Sequence, residues 1–286
     1  MNRPHPSADD LRRGTARYDA EAVPGVVHTG RYRLRYVTWG SGPPVVFVHG
    51  LGDLPGSFCL VMAELVDRGF RVVGYDLANG LDDDCRYGAY RHEHHADDLV
   101  ALLDHLDISV ADVVGSSFGS TVTLRALHRH PARFRRAVLQ GGFARRPLDR
   151  VERALSRLAR YWPGRIAAMP FRERVMNRLD GSQFVGCPPE MYQFLLACGG
   201  QTPIRAAARR ALILDQLDLR PLLPAIPHPV LMIGGDRDAL VPRECEAEVE
   251  RGLPDARRVE FSPCGHYPQY TMPAAMADEI ERWVRT

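Results

Sequence analysis

The chain has 286 residues, 45% of them hydrophobic and 25% charged, with a formal net charge of +2, the composition of a soluble globular domain large enough for one sizeable core. That balance excludes a surface built mainly for nucleic acid, and no apolar run approaches the ~18 residues a bilayer span needs, so no stable membrane insertion is expected. All 37 basic residues are arginine, which excludes Schiff-base chemistry and a lysine nucleophile.

Residues 1–22 are polar and charged, match neither a secretory signal nor an anchor, and are expected to form an N-terminal tail or arm. An alternating strand is predicted over residues 32–39, closed by the turn Gly40-Ser41-Gly42-Pro43, and a continuous apolar strand over 45–48. Helices are then predicted over 57–68, 94–106 and 121–130, alternating with strands over 71–75, 110–114 and 136–139. From residue 144 to 227 the strand rhythm stops, and helices broken by Pro163, Pro170, Pro188, Pro189 and Pro203 are expected. In the first of these helices Leu148, Val151, Leu155 and Leu158 form an apolar stripe, with Arg150, Arg153, Arg157 and Arg160 on another face. The arginine face is expected to be simply solvated; its functional alternative is attraction of an anionic substrate or surface. Strands over 230–233 and 257–261 and helices over 242–251 and 273–285 complete the chain. Short strands alternating with helices specify an α/β fold, a mostly parallel sheet covered on both faces. The expected organisation is a core domain from 23–143 and 228–286, with a helical insertion at 144–227.

Four strand ends carry chemistry. The strand over 110–114 runs into Gly115-Ser116-Ser117-Phe118-Gly119, a G-x-S-x-G elbow between strand and helix. A serine hydroxyl is a poor nucleophile unless held proud of a tight turn where a base and an oxyanion site both reach it. After the strand over 45–48 comes His49-Gly50-Leu51-Gly52-Asp53, a loop able to aim the backbone N–H of Leu51, together with that of Phe118, at a developing oxyanion. His49 reads as a loop brace. The strand over 230–233 leads into Gly234-Gly235-Asp236-Arg237-Asp238-Ala239-Leu240-Val241-Pro242, and the last strand into Ser262-Pro263-Cys264-Gly265-His266. The order serine, acid, histidine is that of a nucleophile, its orienting carboxylate and its base.

Those residues resemble the α/β-hydrolase fold superfamily, serine-nucleophile branch. His49-Gly50 is similar to its oxyanion-loop H-G, Ser117 to its elbow serine, Asp238 to the aspartate of its G-x-x-D-x-x-x-P loop and His266 to its G-H histidine. The resemblance implies that Ser117, Asp238 and His266 are catalytic, that Leu51 and Phe118 form the oxyanion hole, and that the insertion caps the site. It favours Asp238 over Asp236, which is expected to brace its own turn. It implies a carboxylesterase with no cofactor or metal, acting on a small-molecule ester or related acyl substrate. Carbon–carbon bond hydrolases, lactonases, aminopeptidases and cofactor-free haloperoxidases use the same residues, and a weakly catalytic ligand-binding protein on this fold is the remaining alternative. Dehalogenases and epoxide hydrolases of the superfamily have aspartate where Ser117 stands. Two departures from the pattern are Ser120, in place of a second glycine, and Asn79, in place of the first glycine of D-x-x-G-x-G; Asn79 is expected to accept a left-handed backbone.

Other groups carry weaker signals. His92-Glu93-His94-His95 lacks H-E-x-x-H spacing and is expected to be an ordinary helix start rather than a metal site; Asp82-Asp83-Asp84 reads as a solvated turn. Cysteines 59, 85, 187, 198, 245 and 264 are scattered without C-x-x-C spacing, so reduced thiols and a cytoplasmic location are expected. The insertion's aromatics, Tyr161, Trp162, Phe171, Phe184, Tyr192 and Phe194, are expected mostly in the core, some of them lining a pocket.

Overall fold

Eight strands form one sheet: β1 (Val23–His28), β2 (Arg33–Trp39), β3 (Pro44–Val48), β4 (Arg71–Tyr75), β5 (Ala111–Ser116), β6 (Phe134–Gln140), β7 (Val230–Gly235) and β8 (Ala256–Phe261). The computed structural model describes residues 5–81, 83–169, 172–179, 181–184 and 186–286. Asp82, Pro170 and Phe171, named above, lie outside them. The sheet order is β1-β2-β4-β3-β5-β6-β7-β8. β1–β2 and β2–β4 pair antiparallel, and the pairs from β4–β3 to β7–β8 are parallel. β3, β4 and β5 are buried along nearly their whole length, which explains their unbroken apolar runs. The chain leaves β3 toward β4 on one side and returns to β5 on the other, so the carboxyl ends of β3 and β5 flank the switch point where α/β sheets open a crevice.

One face of the sheet is covered by α3 (His92–His105), α4 (Phe118–Arg129) and α9 (Arg243–Gly252), through Leu99, Leu102, Val122, Leu127 and Val249. The other is covered by α2 (Cys59–Asp67) and α11 (Pro273–Arg285), through Val61, Met62, Leu65, Met276, Ile280 and Trp283. Between β6 and β7 the chain forms α5 (Arg150–Ala159), α6 (Arg172–Leu179), α7 (Pro189–Gly200) and α8 (Ile204–Gln216), with short 3-10 turns between them; α10 (Pro268–Thr271) is a single turn after β8. Among the described residues no helix is long and apolar enough to cross a membrane.

The structure adds to or departs from the sequence reading in four places. Within the segment expected as a tail or arm, Ala8–Glu21 is a helix, α1, opened by a capping box in which Ser7 and Asp10 satisfy each other's backbone N–H groups. Leu11 and Tyr18 pack it onto Leu60, Met191, Leu195 and Tyr270, and Arg17 bridges to Asp67 at 2.9 Å. The edge strand β1 went unseen because it carries Pro24 and Gly25, residues that suit an edge and weaken a strand pattern. In α5 the apolar stripe beyond Leu148 does not face inward. Arg153 turns inward to Asp215 at 2.6 Å, while Val151, Leu155 and Leu158 face solvent at 66%, 60% and 72% exposure. Asn79 is not in the left-handed region; Gly80 takes it, at φ +66°, and the Asn79 side chain accepts from Leu81 N–H at 2.8 Å in an Asx turn. The Asp83 carboxylate completes that loop by accepting from the N–H groups of Asn79 and Gly80.

Candidate active site

β5 delivers Ser117 to the switch point, and α4 begins at the next residue. Ser117 sits at φ 51°, ψ −113°, a conformation that costs a non-glycine residue ~1–3 kcal/mol and persists only where its surroundings enforce it. Several contacts do so. Ser117 N–H donates to Gln140 O at 2.9 Å, and Ser120 donates to Ser117 O from its N–H at 2.9 Å and its hydroxyl at 2.6 Å. The serine at position 120 thus adds a hydrogen bond where the family pattern has glycine. Gly119 allows β3 to approach, since a Cβ there would lie 2.0 Å from Val48 O.

The start of α4 and the 49–53 loop lie next to Ser117. Phe118 is the first residue of α4, whose leading N–H groups have no partner within the helix. The 49–53 loop comes close, because a Cβ on Gly50 would stand 3.7 Å from Ser117 Cβ. Burial, with the charge of Arg210 adding to it, lowers the His49 imidazole to about 3, so it is neutral. Leu77 N–H donates to His49 Nε2 at 3.1 Å, which leaves Nδ1 to carry the proton and donate to Gly50 O at 2.8 Å. Arg210, 2% exposed, reaches in from α8 and donates to Leu51 O at 2.7 Å, Leu77 O at 3.0 Å and Ala78 O at 3.2 Å. A buried guanidinium thus ties the insertion to the loop that carries Leu51.

Asp238 meets His266 across 2.7 Å, Oδ2 to Nδ1, with both side chains 5% exposed. Burial raises the Asp238 carboxyl, but the charge and hydrogen bond of His266 and the N–H groups of Val241 and Leu240 outweigh it and hold the group below its ordinary range. An ionised Asp238 fixes the proton on Nδ1 and leaves Nε2 as the acceptor. Asp236 takes the bracing role, accepting from Cys264 N–H at 2.8 Å and the Ser262 hydroxyl at 2.7 Å. The main chain of His266 is gripped from both sides: Gln183 Oε1 accepts from its N–H at 2.6 Å and Gln140 Nε2 donates to its carbonyl at 2.7 Å. Gly141, at φ +54°, leaves room for the ring, since a Cβ there would lie 2.6 Å from His266 Cε1.

Leu51, Ser117 and His266 share a cavity of about 280 Å³ whose far wall is Ile166, Arg172 and Met176 from the insertion. A larger hollow of about 520 Å³ opens beside α1 and α2, but it holds no nucleophile with a base and has no chemistry to match. Asp53 also lines the smaller cavity; burial pushes its carboxyl up to about 6, against bonds from Leu54 N–H at 3.0 Å and the Tyr270 hydroxyl at 3.2 Å. His92 and His95 are buried beneath the elbow, His92 Nε2 on Thr121 Oγ1 at 3.0 Å and His95 against the Phe118 ring. Phe184 and Tyr192 pack around Tyr270, while Tyr161 and Trp162 are 75% and 56% exposed.

The alpha/beta hydrolase fold family matches residues 43–273. The chain belongs to that family. This α/β hydrolase is 29% identical over 257 residues to a 2-hydroxymuconate semialdehyde hydrolase of Pseudomonas sp. strain CF600, covering 84% of this chain and 86% of that one. A thermophilic esterase from Thermogutta terrifontis superposes with a TM-score of 0.77 at 28% identity, over 93% of this chain and 98% of the esterase. The enol-lactonase of Burkholderia xenovorans LB400 shares the fold, with a TM-score of 0.79 at 23% identity over 92% and 100% of the two chains. Sequence reasoning on this α/β hydrolase missed Gln140, Gly141, Gln183 and Arg210. Each acts through a contact distant in sequence, and only Arg210, spaced with Ala207 and Leu214 along one helical stripe, carried any signal.

Proposed function

We propose that the chain is a serine hydrolase that cleaves a carboxylic ester through an acyl-enzyme. The bond between His266 Nδ1 and Asp238 Oδ2, beside a strained Ser117 in one shared cavity, is the observation that carries this reading. His266 Nε2 accepts the Ser117 proton as Oγ attacks the carbonyl carbon, and Asp238 stabilises the imidazolium that forms. The N–H groups of Leu51 and Phe118 receive the oxyanion. His266 then returns the proton to the leaving alkoxide, and in the second half-reaction it takes a proton from the water that releases the acid. Similarity to the Thermogutta esterase supports the choice of ester.

A carbon–carbon bond hydrolase is the second reading, favoured by the single guanidinium of Arg172 in the cavity wall, which suits an anionic substrate, and by the relative named a 2-hydroxymuconate semialdehyde hydrolase. Intact mass after fluorophosphonate treatment tests the shared nucleophile: one adduct is expected on the native chain and none on Ser117→Ala. A substrate panel then separates the readings. Turnover of carbon–carbon substrates, or of lactones alone, with no open-chain ester hydrolysed would overturn the first.

A further inference from the structure

Helix α5 presents its apolar side to solvent. Val151, Leu155 and Leu158 are each at least 60% exposed, and Tyr161 and Trp162 extend the patch at 75% and 56%. The reason lies in the opposite face, where Arg153 is held inward by Asp215 and Leu148 O, which fixes the rotation of the helix about its axis. An aliphatic stripe that the fold itself turns outward is a surface waiting for an apolar partner.

Charge says which partner. Residues 145–165 hold seven arginines against Asp149 and Glu152, although the whole chain carries only +2. Arg150 and Arg157 stand exposed beside the stripe. Two adjoining grooves of about 450 and 570 Å³ share Arg160 and Arg209, and Arg86 lines the first and Arg91 and Arg157 the second. Among the described residues, none of these six makes an ion pair with a carboxylate, whereas Arg153, on the inner face, does. A second copy of the chain on a two-fold axis would bring these arginines against themselves. An anionic lipid surface satisfies both halves of the patch, headgroups for the guanidinium groups and the acyl boundary for the leucines, with tyrosine and tryptophan at the depth they favour.

We infer that α5, with Tyr161 and Trp162, docks the protein peripherally on an anionic lipid surface. The docking leads toward the chemistry: Ile166, four residues beyond Trp162, already lines the Ser117 cavity. Resting on the hydrolase reading, this nominates a lipophilic ester delivered from that surface as the substrate class. The docking itself does not depend on turnover.

The test is co-sedimentation of the full chain with vesicles of equal parts phosphatidylglycerol and phosphatidylcholine, against phosphatidylcholine alone. The native chain and Ser117→Ala are expected to bind the anionic vesicles equally, and both to bind the neutral ones at least roughly tenfold more weakly. The pair Leu155→Gln/Leu158→Gln should lose more than about tenfold, and Arg150→Gln/Arg157→Gln about thirtyfold at low salt. All four substituted side chains are exposed, so thermal melts of the variants are expected to overlay the native curve. No binding, binding indifferent to the leucine pair, or equal binding to neutral vesicles would overturn the inference. So would a solution dimer, in sedimentation velocity, that the leucine pair dissolves. Loss of fluorophosphonate labelling with lipid binding intact would instead remove the hydrolase reading and leave the docking standing.

Discussion

Gly141 leaves room for the His266 ring, and adding one methyl group there tests whether that turn places it. A Cβ at residue 141 would lie 2.6 Å from His266 Cε1, 3.0 Å from Nδ1 and 3.6 Å from Asp238 Oδ2. Carbon atoms prefer about 3.5 Å or more, so ring and methyl must part by about 1 Å. The ring has little freedom to yield: Asp238 holds Nδ1, and Gln183 and Gln140 hold the main chain. A misplacement of about 1 Å in a catalytic group costs on the order of a hundredfold. Gly141→Ala is therefore expected to lower kcat/KM about a hundredfold, chiefly through kcat, with slower fluorophosphonate labelling. The left-handed backbone adds ~1–2 kcal/mol of lost stability for any side chain at φ +54°. Gly30→Ala isolates that backbone contribution, because Gly30 sits at φ +85° with nothing within 4 Å of the point a Cβ would occupy; it should lose stability by a similar amount, in urea denaturation, with activity unchanged. If Gly141→Ala keeps kcat/KM within about threefold while Gly30→Ala behaves as stated, the turn does not place the ring and the reasoning is wrong.

The two aspartates of the 234–242 loop should separate by readout: Asp238→Asn is expected to lower kcat by about three to four orders of magnitude with KM little changed, and Asp236→Asn to lower the melting temperature with kcat kept within about tenfold. Asp53 governs a pH dependence of stability. Its folded carboxyl at about 6, above the 3.8 of an ordinary aspartate, makes the native state bind more protons than the unfolded chain between those values. The stabilisation is full below about 4 and is lost as pH rises through about 6, a change of about 3 kcal/mol. In urea denaturation Asp53→Asn should therefore flatten the native chain's decline over that window, and an unchanged decline would assign it to other groups. Arg210→Met leaves the carbonyls of Leu51, Leu77 and Ala78 without their donor, and a loss of about 3 kcal/mol with a fall in kcat is expected; an equally stable variant with unchanged kcat would show that Arg210 does not position the Leu51 loop for the proposed chemistry.

The parts of this fold that could be read from the chain are those in which local pattern and tertiary role coincide. β3, β5 and β7 are buried on both faces, so each is an apolar run, and each ends in a loop whose residues are close in sequence. Ser117 and Asp238 were legible for that reason, and His266, which follows the partly exposed edge strand β8, only by the order serine, acid, histidine; the structure brings Asp238 and His266 into contact beside Ser117. Gln183 and Arg210 were not, because the bonds that give them meaning span 83 and 159 residues. Periodicity in α5 showed which residues share a face but not which face turns inward; Asp215, 62 residues beyond Arg153, decides that. Helix α1 had a readable capping box, yet only Leu11 and Tyr18 offered large apolar contacts, too few to mark a period.

The grip of Gln183 on His266 has a consequence for recombination among relatives. The insertion is the natural unit to exchange when substrate range is to be altered, since it supplies the far wall of the cavity. Here it also supplies the acceptor for the buried N–H of His266. A chimera that imports another insertion without an amide or carboxylate at that point inherits a histidine whose backbone is unsatisfied, and its poor activity would be misread as poor substrate fit. Chimeras of this protein are best designed from Gln183 outward, keeping the acceptor and varying the wall.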